Sequence, residues 1–233
     1  ENAMEQLERS NRELDDFTYI VSHDLKEPLR SIAAFSKFVI NDYRDKLDED
    51  GRGYLDRIQA NVIRMQRLID DLLQVSRLTR TEAQLQQVDT NALIEEVKLR
   101  FDHALSSNSI QLNVTKPLPR LWCDPIRLAE VFANLISNAI KYNDKQQCQI
   151  DIDCSETGDG YYRFSIRDNG PGIEPQYIEK IFGIFQRLGK REDREVTGVC
   201  LTIVKNIVEL QKGKICVESK LGEWTAFLFT LPI

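Results

Sequence analysis

The feature that most restricts the fold is a 3.5-residue spacing of apolar residues that persists through most of residues 5–80. Sustained spacing of this kind is typical of helices that pack along a coiled-coil-like seam. It predicts two long helices, with the polar, glycine-containing segment Asp45–Gly53 as the turn between them. The first seam consists of Leu14, Thr18, Val21, Leu25, Pro28, Ile32, Phe35 and Val39. The second seam consists of Leu55, Ile58, Val62, Met65, Ile69 and Leu72.

Two helices alone bury two such seams poorly. We therefore expect a symmetric homodimer in which two helical hairpins form a four-helix bundle. On this hypothesis Val62 belongs to the dimer seam, and Val62→Glu should weaken the dimer.

From Leu85 onward the pattern changes to shorter helices mixed with strands, which favours an α/β sandwich. Three helices are predicted here: from Asp89 or Thr90 to about Ser106, from Asp124-Pro125 to about Tyr142, and one ending near Gln211. Strands are predicted near residues 110–115, 149–154, 161–167, 214–219 and 225–231. The predicted fold class is α+β, with a helical hairpin at residues 5–82 and an α/β sandwich domain at residues 83–233.

Composition excludes several classes of function. The 31 Lys and Arg against 37 Asp and Glu give a net charge of −6, which argues against a general nucleic-acid binder. The presence of only two histidines, His23 and His103, nearly excludes metal sites made of several imidazoles. Five cysteines without a C-x-x-C pair indicate reduced thiols and a cytoplasmic location. No apolar run reaches the roughly 20 residues that a membrane-spanning helix needs.

His23 is the first candidate for chemistry. It lies midway between Val21 and Leu25, so at about 100° per residue its side chain points away from the predicted bundle core. Asp24 can orient the imidazole and accept its proton during attack on an electrophile. Pro28 lacks the N–H that would bond the Asp24 carbonyl, so we expect the helix to bend just beyond the histidine. The alternatives are an idle surface histidine and a proline that only kinks the helix.

A polar face on the helix after Asp124 is the second candidate. Asn134, Asn138, Lys141 and Tyr142 occur at i, i+4, i+7 and i+8, opposite an apolar face. Amide oxygens suit a hard cation such as magnesium, and a lysine adds a point charge for phosphate. An ordinary solvated polar face is the alternative.

Asp168 ends the strand predicted at 161–167, and the alternation of that strand places its side chain inward. A buried carboxylate needs a hydrogen-bonding partner, and the exocyclic amine of adenine is a good candidate. Gly170 and Gly172 follow, where glycine permits close approach of a ligand or unusual backbone angles. Thr197-Gly198 opens the last predicted helix, whose N-terminal N–H groups could contact phosphate. A plain turn is the alternative at the glycines.

These residues fall into four ordered motifs, and from about Phe17 to Pro232 the chain resembles the catalytic core of a sensor histidine kinase, in particular the phytochrome-like subset. The motifs resemble the histidine box (SHDLKEPL, 22–29), the asparagine box (NLISNAIKY, 134–142), the first glycine box (DNGPGI, 168–173) and the phenylalanine box (Ile181-Phe182 through Phe185-Gln186-Arg187).

The resemblance implies a dimerising phospho-acceptor hairpin followed by an ATP-binding domain of the gyrase and histidine-kinase type. It implies ATP with Mg²⁺ on Asn138, Asn134 and Lys141 near the phosphates, and Tyr142 and Asp168 at the adenine. The γ-phosphoryl group would pass to His23, with Asp24 as base, and then to an aspartate of a response-regulator receiver domain. The implied nucleotide-binding residues are Asn134, Asn138, Lys141, Tyr142, Asp168, Gly170, Gly172, Arg187, Gly198, Leu201 and Thr225. Residues 189–197 would form a lid, and an upstream sensor domain would precede this piece.

The chain also departs from the family pattern. The second glycine box, roughly Gly-x-Gly-x-Gly-Leu in the family, has Val196 and Cys200 in place of its first and third glycines. Trp224 stands where a further glycine is expected. Valine is poorly suited to positive φ, and the other two side chains add bulk, so we expect weak nucleotide binding. Glu27 stands where many relatives carry Thr or Asn linked to phosphatase activity, which leaves that activity open.

The favoured function is therefore an ATP-dependent protein-histidine kinase of a two-component system. The alternative is a degenerate kinase that acts as a scaffold or phospho-acceptor. A gyrase-type ATPase is disfavoured because its catalytic glutamate would be expected at Asn134 and because it leaves His23 unexplained. Transfer within or between protomers depends on the handedness of the turn at Asp45–Gly53 and stays open.

Overall fold

The computed structural model describes residues 2–80, 83–107, 110–183 and 198–233. Helices α1 (Asn2–Tyr43) and α2 (Glu49–Arg80) form one compact unit, and the strands and helices from Gln86 onward form a second. The second unit contains β1 (Gln86–Asp89), α3 (Thr90–Leu99), α4 (Asp102–Ser107), β2 (Gln111–Val114), β3 (Arg120–Cys123), α5 (Pro125–Tyr142), β4 (Gln149–Glu156), β5 (Tyr161–Asp168), α6 (Cys200–Leu210), β6 (Ile215–Lys220) and β7 (Trp224–Pro232). The predicted α+β class, a helical hairpin followed by an α/β sandwich, is confirmed. None of the helices in the described ranges is long and apolar enough to cross a bilayer.

The turn between α1 and α2 is shorter than the predicted Asp45–Gly53. One 3₁₀ turn, Arg44–Lys46, follows α1, and α2 already begins at Glu49. The Asp48 carboxylate accepts the N–H of Gly51 at 2.8 Å, as an N-cap residue does. Because the first N–H groups of a helix have no intrahelical acceptors, this cap allows the helix to start within the glycine-containing segment.

Among the side chains that the structure describes, the contact between α1 and α2 uses one row of the predicted α2 seam but residues of α1 that lie outside its predicted seam. Val62, Ile69 and Leu73 of α2 are buried, and they cluster with Leu29 of α1, against which Ala33 packs. The same face of α1 buries two hydroxyl side chains, Ser22 and Ser36, which an apolar pattern cannot reveal.

Val21 and Leu55 are half-buried, and the other described seam residues are exposed in the single hairpin. The exposed ones are Leu25, Pro28, Ile32, Phe35, Val39, Ile58, Met65 and Leu72. In α2 one row of the 3.5-residue repeat closes the hairpin while the other faces outward. In α1 most of the described seam faces outward, and the contact uses Leu29, one position after the seam residue Pro28. Val62 belongs to the inner row, so Val62→Glu would act on the hairpin itself and is not the dimer test that the sequence suggested.

The second unit is built on a five-stranded sheet in the order β2-β4-β5-β7-β6. Strand β2 runs parallel to β4, and the other pairs are antiparallel. Helices α5 and α6 pack together over the sheet. The centre of the core is an aromatic cluster of Phe132 from α5, Phe164 from β5 and Phe229 from β7, with ring centroids 5.1 to 5.8 Å apart.

Local capping signals predicted helix starts well. The Asp124 carboxylate accepts the N–H groups of Ile126 and Arg127 at 3.0 and 3.1 Å, and Pro125 opens α5 as expected. Asp89 caps α3 in the same way.

Two features of this region differ from the expectation. The helix predicted to reach Ser106 breaks after Leu99, where the Arg100 and Phe101 N–H groups bond carbonyls three residues back and tighten the last turn. The antiparallel pair β1 and β3 was not predicted at all.

Candidate functional site

His23 lies on α1 with 71% of its side chain exposed. Its Nδ1 is 3.3 Å from Oδ1 of Asp24. In the tautomer that carries the proton on Nδ1, the imidazole donates to this carboxylate and keeps a free lone pair on Nε2. Helix α1 continues through Pro28. The arrangement provides an accessible nitrogen nucleophile beside a carboxylate that can accept its proton.

An open groove of about 480 Å³ runs beside this histidine between α1 and α2. Its lining residues are His23, Lys26, Glu27, Arg30, Gln66 and Asp70. The Lys26 ammonium lies 2.6 Å from the Asp70 carboxylate, so an ion pair bridges the two helices. Lys26, Arg30 and Asp70 were not predicted as site residues. Helical spacing places Lys26 and Arg30 on the His23 face and could have indicated them, whereas no local pattern shows that Asp70 of α2 faces the same groove.

The polar face of α5 is partly buried. Asn138 is 6% exposed, which differs from an ordinary solvated face. The Asn134 amide donates to the main-chain oxygen and to Oε1 of Glu130, both at 3.0 Å, so its orientation is fixed. Tyr142 is half-buried and Lys141 is exposed. Two amides, a phenol and an ammonium thus follow one another along the last turns of one helix.

Asp168 ends β5 with its side chain directed inward and 8% exposed. Burial raises the pKa of this carboxyl from its ordinary value of 3.8 to about 6, although the N–H of Gly170, which donates at 2.8 Å, opposes the shift. Thr225, also buried, lies opposite Asp168 in β7. Two buried polar side chains thus lie side by side at the edge of an apolar core, and the Asp168 carboxylate could accept a hydrogen bond from a ligand.

The loop after Asp168 requires glycine at residues 170 and 172, because a Cβ would not fit at either position and residue 172 has positive φ. A Cβ at Gly170 would lie 2.6 Å from Oδ1 of Asp168. Gly172 has φ of +72°, and a Cβ there would overlap the carbonyl oxygen of Lys220. These glycines hold the loop against the carboxylate on one side and against the β6–β7 turn on the other.

Side chains outside the motifs hold this loop in place. Asn143, just after α5, donates to Oδ1 of Asn169 at 2.8 Å, and the same oxygen accepts the N–H of Gln149 at 3.0 Å. Ser219 Oγ of β6 accepts the N–H of Ile173 at 2.8 Å. Sequence analysis missed Asn143 and Ser219, whose roles depend on contacts across the fold.

The Trp224 side chain packs against Arg167. Its ring lies 4.5 Å from the Arg167 guanidinium carbon in a cation–π contact. Arg167 and Trp224 each precede an inward-facing residue, Asp168 and Thr225, so by strand alternation they lie on the opposite face of the sheet. The bulk of Trp224 therefore lies against Arg167, on the face of the sheet opposite Asp168.

The remaining predicted residues fall at the start of α6 or outside the described chain. Gly198 has φ of +77°, and Cys200 and Leu201 form the first turn of α6. Arg187 lies outside the described residues, as does the whole predicted lid (189–197), which contains Val196 and Thr197.

Two family models match the chain, one on each unit. Residues 13–81 match the His Kinase A (phospho-acceptor) domain, and residues 123–233 match the histidine kinase-, DNA gyrase B- and HSP90-like ATPase family.

Curated relatives and solved structures agree with these matches. Over 97% of its length the chain is 43% identical to cyanobacterial phytochrome B of Nostoc sp. and 37% identical to phytochrome-like protein Cph1 of Synechocystis sp.. It spans about 30% of the length of each of these relatives. The crystal structure of full-length ShkA in complex with AMPPNP superposes with a TM-score of 0.70 at 25% identity, covering 93% of this chain and 45% of that one. The chain therefore belongs to the histidine kinases and carries their catalytic core, a phospho-acceptor domain followed by an ATPase domain.

Proposed function

We propose that this chain phosphorylates its own His23 from ATP and passes the phosphoryl group to an aspartate of a response-regulator receiver domain. The observation that carries the proposal is the exposed His23–Asp24 pair at 3.3 Å, in a chain whose second unit has the buried carboxylate of Asp168. The phospho-acceptor hairpin would occupy residues 5–82 and the ATP-binding domain residues 83–233. The free thiols of Cys123, Cys148, Cys154 and Cys216 support a reducing, cytoplasmic location.

The chemistry at His23 is a phosphoryl transfer to nitrogen. The Nε2 lone pair forms a bond to the γ-phosphorus of ATP, the bond from that phosphorus to the bridging oxygen breaks, and ADP leaves with the bonding electrons. The imidazole thereby gains positive charge, and its Nδ1 proton passes to Asp24. The carboxylate thus acts as the general base.

The ATP-binding residues are assigned from the family resemblance together with their chemistry. The Asp168 carboxylate would accept the adenine amine, while Asn134 and Lys141 would contact phosphates and Tyr142 would lie near the base. Within the described ranges no group of three or more His, Cys, Asp and Glu side chains could hold a metal. A magnesium ion would therefore need nucleotide oxygens beside the amide oxygen of Asn138, and when bound it would offset phosphate charge.

The proposed assembly is a homodimer through the outer apolar row of the hairpin. Phe35 is 68% exposed and Met65 47% exposed in the single chain. A row of this kind along two long helices is a large apolar surface to leave in water. A second copy would cover it and complete a four-helix bundle.

Labelling with γ-labelled ATP tests the proposal. His23→Gln should abolish the acid-labile label, and the matched variant His103→Gln should retain it. Asp24→Asn should slow labelling by about 10²–10⁴-fold, the usual range for a positioned general base. A label that survives His23→Gln would refute the acceptor assignment.

The degenerate-kinase alternative rests on Val196 and Cys200, and nucleotide titration separates it from the kinase. Strain at such positions typically costs about 1–3 kcal/mol each, and about 1.4 kcal/mol is tenfold in affinity. In calorimetric titrations, a Val196→Gly, Cys200→Gly variant should gain affinity for a non-hydrolysable ATP analogue. Trp224→Gly should gain none, because its ring lies on the other face of the sheet. A parent chain that already binds the analogue at low micromolar concentration, with no gain in the variant, would remove the support for the alternative.

A further inference from the structure

The ion pair between Lys26 and Asp70 lies next to the acceptor histidine. His23, Lys26 and Arg30 occur at i, i+3 and i+7, so they share one face of α1, and all three line the groove. Asp70 enters the same groove from α2 and pairs with Lys26 at 2.6 Å. The Lys26 and Asp70 side chains are 42% and 62% exposed, so both can reorient.

A phosphoryl group on His23 would change the charge balance of this groove. The charged side chains that line it are the cations Lys26 and Arg30 and the anions Glu27 and Asp70, which balance. A phosphoryl group adds a charge of about −2 at neutral pH. An exposed ion pair such as Lys26–Asp70 is weak, and the long lysine stem lets the ammonium move. The phosphoryl group carries more negative charge than the Asp70 carboxylate, so it competes well for the Lys26 ammonium.

We propose that Lys26 leaves Asp70 and binds the phosphoryl group of phospho-His23. Lys26 is thus a positioning residue for the phosphorylated state, and Asp70 is its counter-ion in the resting state. The exchange breaks the bridge between α1 and α2 when His23 is phosphorylated. It rests on the proposed function only in taking His23 as the acceptor.

The test measures the protonation of the phosphoryl group on the full chain. In a His103→Gln background, phosphoramidate transfers its phosphoryl group to His23 with release of ammonia, so no ATP is needed. A ³¹P NMR titration then gives the pKa of the phosphoryl group. Lys26→Gln should raise that pKa, with an about three- to fivefold tighter proton affinity, because a neighbouring cation favours the more charged form.

Asp70→Asn should lower the pKa, partly by freeing Lys26 and partly by removing a negative charge. The double variant Lys26→Gln, Asp70→Asn separates these two effects. Without Lys26, Asp70→Asn can shift the phosphoryl pKa only by removing a negative charge, so its shift should be smaller than in the presence of Lys26. Glu27→Gln measures the effect of removing a groove carboxylate that does not hold Lys26.

A second ion pair of the hairpin provides the matched control. Arg44 lies 3.4 Å from Asp56, beyond the C-terminal end of α1. Arg44→Gln and Asp56→Asn should leave the phosphoryl pKa unchanged. The inference is overturned if Lys26→Gln does not move the pKa, or if Asp70→Asn shifts it equally with and without Lys26. Failure of autophosphorylation with ATP would count against the proposed function instead, since the chemical label does not depend on it.

Discussion

Replacing Asp168 by asparagine should stabilise the α/β unit and weaken nucleotide binding at the same time. Burial raises the pKa of this carboxyl from 3.8 to about 6, so the folded state binds its proton more tightly than the unfolded state does. The resulting stability is fully present below about pH 3.8 and is lost as the pH rises through about 6. A shift of about two pKa units corresponds to about 3 kcal/mol of unfolding free energy.

Asparagine has nearly the same shape and no charge to bury. Its side-chain oxygen can still accept the Gly170 N–H that Asp168 accepts at 2.8 Å. Above pH 6 we therefore expect Asp168→Asn to be more stable than the parent by up to about 3 kcal/mol, and the difference should shrink towards pH 4. ADP should bind at least about tenfold more weakly, because a charged acceptor of the adenine amine has been lost.

Urea unfolding followed by tryptophan fluorescence is a selective assay for this unit. The two tryptophans of the chain, Trp122 and Trp224, both belong to the α/β unit. Glu156→Gln, at an exposed carboxylate of β4, is the control and should follow the parent at every pH. Parallel stability curves for Asp168→Asn and the parent between pH 4 and 8 would refute the reasoning.

Two further predictions concern the glycine loop and the dimer. Gly158→Ala should lower the free energy of urea unfolding by about 1–2 kcal/mol, because the residue has positive φ but free space for a Cβ. Gly172→Ala should lower it clearly more, because its Cβ would also overlap the carbonyl oxygen of Lys220. Equal costs would contradict this. Met65→Glu should shift light scattering towards the monomer mass, while Val62→Glu should lose helical circular dichroism. A dimer unaffected by Met65→Glu would count against the outer row as its interface.

Features set by neighbouring residues were predictable from the sequence. Asp124-Pro125 defines the start of α5, because cap and proline act within one helical turn. The inward position of Asp168 followed from the alternation of β5, and the exposure of His23 from its place in the heptad. Each of these inferences needs only a few adjacent residues.

Features that depend on a distant partner were not predictable. Strands β1 and β3 are four residues each and pair across α3, α4 and β2, so neither carries a clear pattern. The seam spacing showed that Val62 and Met65 are both apolar seam positions, but not that the first faces α1 and the second faces out. The bond between Lys26 and Asp70 likewise joins two helices whose relative register no local pattern specifies.

The small inner row of the hairpin has a consequence for how subunits mix. Among the side chains described in residues 21–73, the buried apolar cluster between the two helices consists of Leu29, Val62, Ile69 and Leu73. In the proposed dimer most of the apolar burial would then lie between chains, so a separated hairpin should be short-lived and partly unfolded. Exchange of subunits would have to pass through that state and should be slow. Two related kinases made in one cell would then keep the partners with which they first assembled.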